Sequence, residues 1–241
     1  MILPKLLARF AKHRDDAVFY ELQAEDAINW LVAKGVPLTP ETRVLDLGCG
    51  HGVFGGALLK RGCQVTFADE TSYLLPQFQK QRFLAVNLDR DSISALGRFD
   101  LVICSNVLEH LAKPERLLEE VSGILSPGGQ FYLSWTNWLS PWGGHEFSPW
   151  HYLGAGAGPW IYDHLSKRAR FHKPFVNLFP TYIGAIMAIV RRNQGLSIDA
   201  IAPRYYTEFA WLMKIPLLRE FMAWNCAMLI SSTQSRRANA G

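Results

Sequence analysis

Val44-Leu45-Asp46-Leu47-Gly48-Cys49-Gly50-His51-Gly52 sets a carboxylate near the end of an apolar run and follows it with three alternate glycines. The run reads as a buried strand, and the glycines let the backbone close on a ligand with no side chain in the way. The same loop contains Gly50-His51-Gly52-Val53-Phe54-Gly55, which fits the dinucleotide pattern G-x-G-x-x-G, with Asp69 about twenty residues on. Register and charge separate two kinds of ligand. A dinucleotide site would run the strand straight into Gly50, leaving Gly48 in its interior, and would set Asp46 against a pyrophosphate of like charge. A cationic ligand fits both features better.

The other residues that could do chemistry lie beyond residue 135. Gly143-Gly144-His145-Glu146 and Trp150-His151-Tyr152 offer His145, Glu146 and His151 as general bases, with His164 and His172 behind them. Histidine titrates near neutral pH, and adjacent glycines permit close approach. The competing reading is a loop anchor that bonds its own backbone. Glu109-His110, at the start of a helix, is read as such a structural pair. Cys49, Cys63, Cys104 and Cys226 lack metal-ligand spacing. Buried, reduced thiols, no metal site and a cytoplasmic protein are the expectation.

The elements that must position these residues alternate over the first 134 residues, as in a parallel sheet flanked by helices. The pattern predicts helices over Asp26–Lys34, Val53–Lys60 and Pro114–Leu125, and strands over Val44–Leu47, Val65–Asp69, Phe83–Leu88, Phe99–Cys104 and Gln130–Ser134. Ser126-Pro127-Gly128-Gly129 reads as a tight turn before the last of these. Residues 135–175 are rich in Trp, Gly, His and Pro with weak periodicity, as in a substrate-covering cap. Trp135, Trp138, Trp142, Trp150 and Trp160 could wall an apolar pocket or form the core of that cap. A helix over Tyr182–Asn193, a strand over Leu196–Tyr206, a helix over Glu208–Trp224 broken at Pro216, and a strand over Cys226–Ser232 follow. Thr233–Gly241 reads as frayed.

The chain of 241 residues, 49% hydrophobic and 19% charged, suits one globular domain. Its composition shifts near residue 135, and the element pattern divides it into a first half (1–134), a cap (135–180) and a C-terminal helix and strand half (181–241). The first 134 residues hold 14 Lys and Arg against 16 Asp and Glu; the remainder holds 11 against 5. With no Lys/Arg run, the excess gives no case for nucleic acid.

Three motifs in order resemble the class I S-adenosylmethionine-dependent methyltransferases. The glycine loop resembles their motif I. Phe99-Asp100-Leu101-Val102-Ile103-Cys104-Ser105-Asn106-Val107-Leu108-Glu109-His110-Leu111 looks like their fourth strand and following turn. Leu125-Ser126-Pro127-Gly128-Gly129 resembles their L-x-P-G-G turn. The match is closest to the type 11 group, and Pro141–Glu146 with Ser148–Tyr152 looks like an actinobacterial subgroup. The resemblance implies an α/β fold, a doubly wound seven-stranded Rossmann-like sheet with an aromatic-rich insertion after the fifth strand. It implies S-adenosyl-L-methionine as cofactor, with Gly48 and Gly50 against the methionine moiety and Asp46 near its amino group. Asp69, assisted by Glu70, would hold the ribose hydroxyls. Asn87 and Leu88 would flank the adenine, although the family often has Asp where Asn87 stands. Ser105, Asn106 and Val107 would line the path to the acceptor.

Ser105-Asn106-Val107-Leu108 stands where amino-group methyltransferases carry an Asn/Asp-Pro-Pro-Tyr/Phe signature, so O-methylation of a small, lipid-like or cell-envelope acceptor is expected. The alternatives are a non-catalytic S-adenosylmethionine-binding protein and, more distantly, an NAD(P)-dependent oxidoreductase. Met1–Asp16 has no signal-peptide pattern, and no apolar run is long enough to span a bilayer. Ile2, Leu3, Leu6, Leu7 and Phe10 share a helical face beside Lys5, Arg9 and Lys12. That face suits peripheral membrane contact, or a helix that caps the domain, which is preferred.

Overall fold

A computed structural model describes residues 1–13, 16–166 and 169–233. Seven strands form one sheet: β1 (Arg43–Leu47), β2 (Gln64–Asp69), β3 (Phe83–Ala85), β4 (Phe99–Ser105), β5 (Leu125–Thr136), β6 (Leu196–Pro203) and β7 (Asn225–Ser232). Their order is β3-β2-β1-β4-β5-β7-β6, with β1 to β5 parallel and β7 antiparallel to both neighbours. The chain leaves β1 in one direction and β4 in the other. Such a switch point opens a crevice at the carboxyl ends of the strands.

Side-chain alternation divides the core between the two faces of the sheet. Leu45, Leu47, Val102, Cys104, Phe131 and Leu133 pack against α4 (Pro114–Glu120) and α6 (Ile183–Arg192). Val44, Phe67, Leu101, Ile103 and Tyr132 pack against α2 (Ala17–Ala33) and α3 (Val53–Leu59).

Several boundaries differ from those the sequence suggests, each for a physical reason. Helix α2 begins at Ala17, where Asp16 accepts from the Phe19 amide at 3.0 Å. Apolar residues on all its faces hide that start from a periodicity argument. Strand β3 ends at Ala85 because Asn87 forms a turn, its Oδ1 accepting from the Asp89 amide at 3.0 Å. Ser126–Gly129 is a bulge within β5, where the pairing skips from Phe99↔Leu125 to Leu101↔Gln130. Between β6 and β7 a 3-10 segment, Thr207–Lys214, precedes α7 (Pro216–Met222). Residues 234–241 of the expected frayed tail lie outside the described residues.

The cap after β5 holds α5 (Gly154–Leu165), whose Gly154, Gly156, Gly158 and Pro159 conceal a helix from sequence reading. Trp138, Phe147 and Leu178 form its small core. None of the five tryptophans lines the cavity at the carboxyl ends of β1 and β4. Trp135 and Trp138 are buried, Trp142 meets Trp224 at 4.9 Å between ring centroids, and Trp160 is exposed. Gly143 serves packing rather than ligand approach, because a Cβ there would lie 1.8 Å from the Trp138 carbonyl oxygen. Backbone cannot step aside as a flexible side chain can. Gly143→Ala is therefore expected to cost about 3 kcal/mol, read as a lowered midpoint in denaturant unfolding.

Helix α1 (Leu3–His13) caps the domain. Leu6 is buried, and Phe10 contacts Phe19 and Trp142 at centroid distances of 6.0 and 6.5 Å. Among the described residues no helix is long and apolar enough to cross a membrane.

Candidate active site at the switch point

A cavity of about 390 Å³ opens at the carboxyl ends of β1 and β4. Tyr20, Gln23, Asp46, Gly48, Gly50, Ser105, Asn106, Glu109, His110, Thr136, His145, His172 and Arg204 line it. A groove of about 500 Å³ beside Arg43, Arg82 and Arg98 lies at the opposite strand ends, away from the switch point.

Strand β1 ends at Leu47, so Gly48 is the first residue of the loop, in the register a non-dinucleotide ligand requires. Gly48 and Gly50 hold φ of +72° and +49°, a left-handed region costly for other residues. A Cβ on Gly48 would meet Val107 at 2.4 Å, whereas space around Gly50 is open. Val107 therefore braces the loop from behind.

Asp46 Oδ2 accepts from the Gly55 amide at 2.8 Å, tying the strand tip to α3. Burial pushes its carboxyl up to about 7 against that hydrogen bond, and the charge of Asp69 adds to the rise. An acid raised on folding contributes most stability at low pH and loses it as pH climbs from its ordinary 3.8 to about 7. A cation beside Asp46 would offset that loss.

Asp69, at the tip of β2, accepts from the Gly50 and Glu70 amides, each at 2.8 Å. Glu70 is exposed and pairs with Arg90 at 3.0 Å. Asn87 and Leu88 follow the neighbouring strand β3 and, like Asp69 and Glu70, lie outside the cavity lining.

The far wall consists of imidazoles. His145 lines the cavity, and burial pushes it down to about 3, aided by the neighbouring His172 and His110. It stays neutral across the physiological range. Glu146 stands one step behind, bonded to His172 Nδ1 at 2.5 Å and to the Phe171 and His172 amides at 2.7 and 3.1 Å. Burial raises the Glu146 carboxyl, but hydrogen bonds from its own amide and His172 bring it below its ordinary value. His151 is buried outside the cavity with Nε2 3.0 Å from the Ser140 carbonyl, a cap anchor by geometry.

Sequence reading missed Arg204, Gln23, Tyr20 and Thr136, and gave Glu109, His110 and His172 lesser parts. Arg204 is 2% exposed, donates to Asn106 Oδ1 and Ser134 Oγ at 3.1 Å each, and leaves Nε unpartnered. A lone arginine directly after Ala200-Ile201-Ala202-Pro203 was the available signal. Glu109 Oε1 accepts from the Thr136 amide at 2.9 Å, and its buried Oε2 has no partner. A carboxylate facing an ammonium, a guanidinium able to take a carboxylate and an open glycine loop together fit an amino-acid-bearing cation such as S-adenosylmethionine.

The comparisons agree with this geometry. A family model described as a methyltransferase domain matches residues 45–131. An uncharacterized methyltransferase of Mycolicibacterium gilvum is 32% identical over 244 residues, covering 95% of this chain and 93% of the relative. One from Mycobacterium tuberculosis is 32% identical over 243 residues, covering 94% and 93%. Magnesium protoporphyrin IX methyltransferase from Synechocystis, solved with bound S-adenosylhomocysteine, has a TM-score of 0.55 at 17% identity, covering 89% of this chain and 84% of its own. An S-adenosylmethionine-dependent methyltransferase from Mesorhizobium loti has a TM-score of 0.57 at 19% identity, covering 84% and 95%. These two show the shared fold. The chain belongs to the class I S-adenosylmethionine-dependent methyltransferases.

Proposed function

We propose that the protein methylates a hydroxyl oxygen of a small, lipid-like or cell-envelope acceptor. The observation that carries this reading is one continuous cavity running from Gly48 and Gly50 to the imidazoles of His110, His145 and His172. The cofactor supplies an activated methyl group on a sulfonium. Asp46 and Arg204 hold the amino-acid end, Asp69 with Glu70 the ribose, and Asn87 and Leu88 the adenine side. The far wall aligns the acceptor and excludes water.

Two features favour oxygen. Asn106 Oδ1 is engaged by Arg204 at 3.1 Å and Asn225 Nδ2 at 2.9 Å, leaving it poorly placed to hold an amine. His145, held neutral by burial, faces the acceptor and can accept a hydroxyl's proton in a hydrogen bond, with Glu146 positioning His172 and His151 holding the cap. Exposed Trp160, Leu165, Phe171, Phe175 and Val176 on the cap support a lipid-like acceptor and peripheral membrane contact. The test is radiolabelled methyl transfer into an envelope lipid extract, with the methylated atom identified by mass spectrometry. An N-methylated product, or label confined to polar metabolites, would overturn the reading.

Asp46 gives a pH prediction. The titratable groups with which it interacts electrostatically are Asp69, Cys49 and Cys104, none of them cationic. Below about 7 it holds a proton that an ammonium must displace. S-adenosylhomocysteine binding should therefore tighten several-fold between about pH 6 and about pH 7.5 and release a proton at the lower pH. Calorimetry in buffers of different ionisation enthalpy reads that proton, and Asp46→Asn should abolish its release.

A further inference from the structure

Three imidazoles from distant parts of the chain meet at the far wall of the cavity. His110 lies in the single turn after β4, His145 opens a turn of the cap, and His172 lies between α5 and α6. One ring nitrogen of each lies within 4.8 Å of the others. The ring centroids are 5.4, 5.3 and 4.3 Å apart.

The bonds behind the rings fix which nitrogens are free. His110 Nδ1 is 2.8 Å from the Asn177 carbonyl, and His172 Nδ1 is 2.5 Å from Glu146 Oε2. Both oxygens are acceptors, so both Nδ1 atoms carry the proton and each neutral ring keeps its lone pair on Nε2. A carbonyl or carboxylate behind Nδ1 is how metal-binding histidines are oriented. His145 Nδ1 is buried with no partner at all. Three imidazoles this close present nitrogen donors to one small region, the arrangement that imidazole-bound transition metals use.

We propose that His110, His145 and His172 bind one divalent transition-metal ion of the zinc type, with a fourth position open to the cavity. Imidazole donors suit zinc and its neighbours rather than magnesium or calcium, and three histidines with an open position form a reactive site. Zn–N bonds of about 2.0–2.1 Å require nitrogen separations of roughly 3.3 Å, so the rings draw together on binding. The open position takes an acceptor hydroxyl oxygen, which ionises more readily on a metal; this use, unlike the site itself, rests on the O-methylation reading.

The test uses untagged full-length protein, stripped with a chelator and titrated with Zn²⁺ by calorimetry, alongside S-adenosylhomocysteine on the same samples. One ion per chain is expected. His110→Ala and His172→Ala should each weaken it at least ~100-fold, Glu146→Gln roughly 10- to 100-fold, and His164→Ala not at all. A Co²⁺-loaded sample should change its visible spectrum when azide occupies the open position. No saturable Zn²⁺ binding, with S-adenosylhomocysteine still bound, would overturn the metal site and leave the cofactor reading intact. Zn²⁺ affinity unchanged in His110→Ala and His172→Ala would also overturn it. An azide-insensitive Co²⁺ spectrum would overturn the open position. Zn²⁺ bound without S-adenosylhomocysteine would support the metal and count against the cofactor assignment.

Discussion

Asp69→Ala is expected to weaken S-adenosylhomocysteine binding by about two orders of magnitude, roughly 3 kcal/mol. The side chain has two tasks at the end of β2. It accepts from the Gly50 amide at 2.8 Å, which fixes the glycine loop against the sheet. Its remaining acceptor capacity is, on the proposed reading, available to the ribose hydroxyls, and each bond to a charged acceptor contributes about 1.5–3 kcal/mol. Alanine removes both effects. Asp69→Asn keeps an acceptor oxygen but loses the charge and should fall between the two. The measurement is calorimetric affinity, with far-UV circular dichroism to establish that the sheet persists. Wild-type affinity in Asp69→Ala would show that the ribose lies elsewhere.

Trp135→Ala should be the most destabilising single change considered, at about 4 kcal/mol, or ~10 °C in midpoint for a chain of this size. Trp135 is fully buried on β5, opposite Cys226 of β7, where the parallel and antiparallel parts of the sheet join. Truncation opens a cavity that close-packed neighbours cannot fill. Its indole Nε1 is buried without a hydrogen-bond partner. Trp135→Phe discards that unsatisfied group and should cost less than about 1.5 kcal/mol. The comparison separates volume from polarity, and urea unfolding of both variants reads it. The loss should also reach the site, since the next residue, Thr136, donates its amide to Glu109.

The parallel half of the sheet was legible because each strand was a short apolar run ended by a turn or a carboxylate. Asp46, Gly48, Gly50, Ser105 and Asn106 could be expected to meet at one cavity, as they do, for the same reason: strand tips in a parallel sheet converge. Asp69 could be set beside them because β2 neighbours β1. The opposite wall was not legible. His110, His145 and His172 are far apart in the chain, and only the folding of the cap over the strand tips brings them together. Arg204 was hidden because a buried guanidinium depends on partners from α2, the turn after β4 and β5 that no local pattern announces. The sequence could not divide the tryptophans between pocket wall and cap core, because aromatic residues mark packed cores as readily as ligand walls.

The most direct test of the central claim, that the glycine loop and Asp69 hold S-adenosylmethionine, is a calorimetric titration with S-adenosylhomocysteine beside one with NADH. The account predicts one S-adenosylhomocysteine per chain and no NADH binding. NADH binding in its place would contradict that claim and remove the basis for the acceptor reading, while the three-histidine site would still stand or fall on its own Zn²⁺ titration.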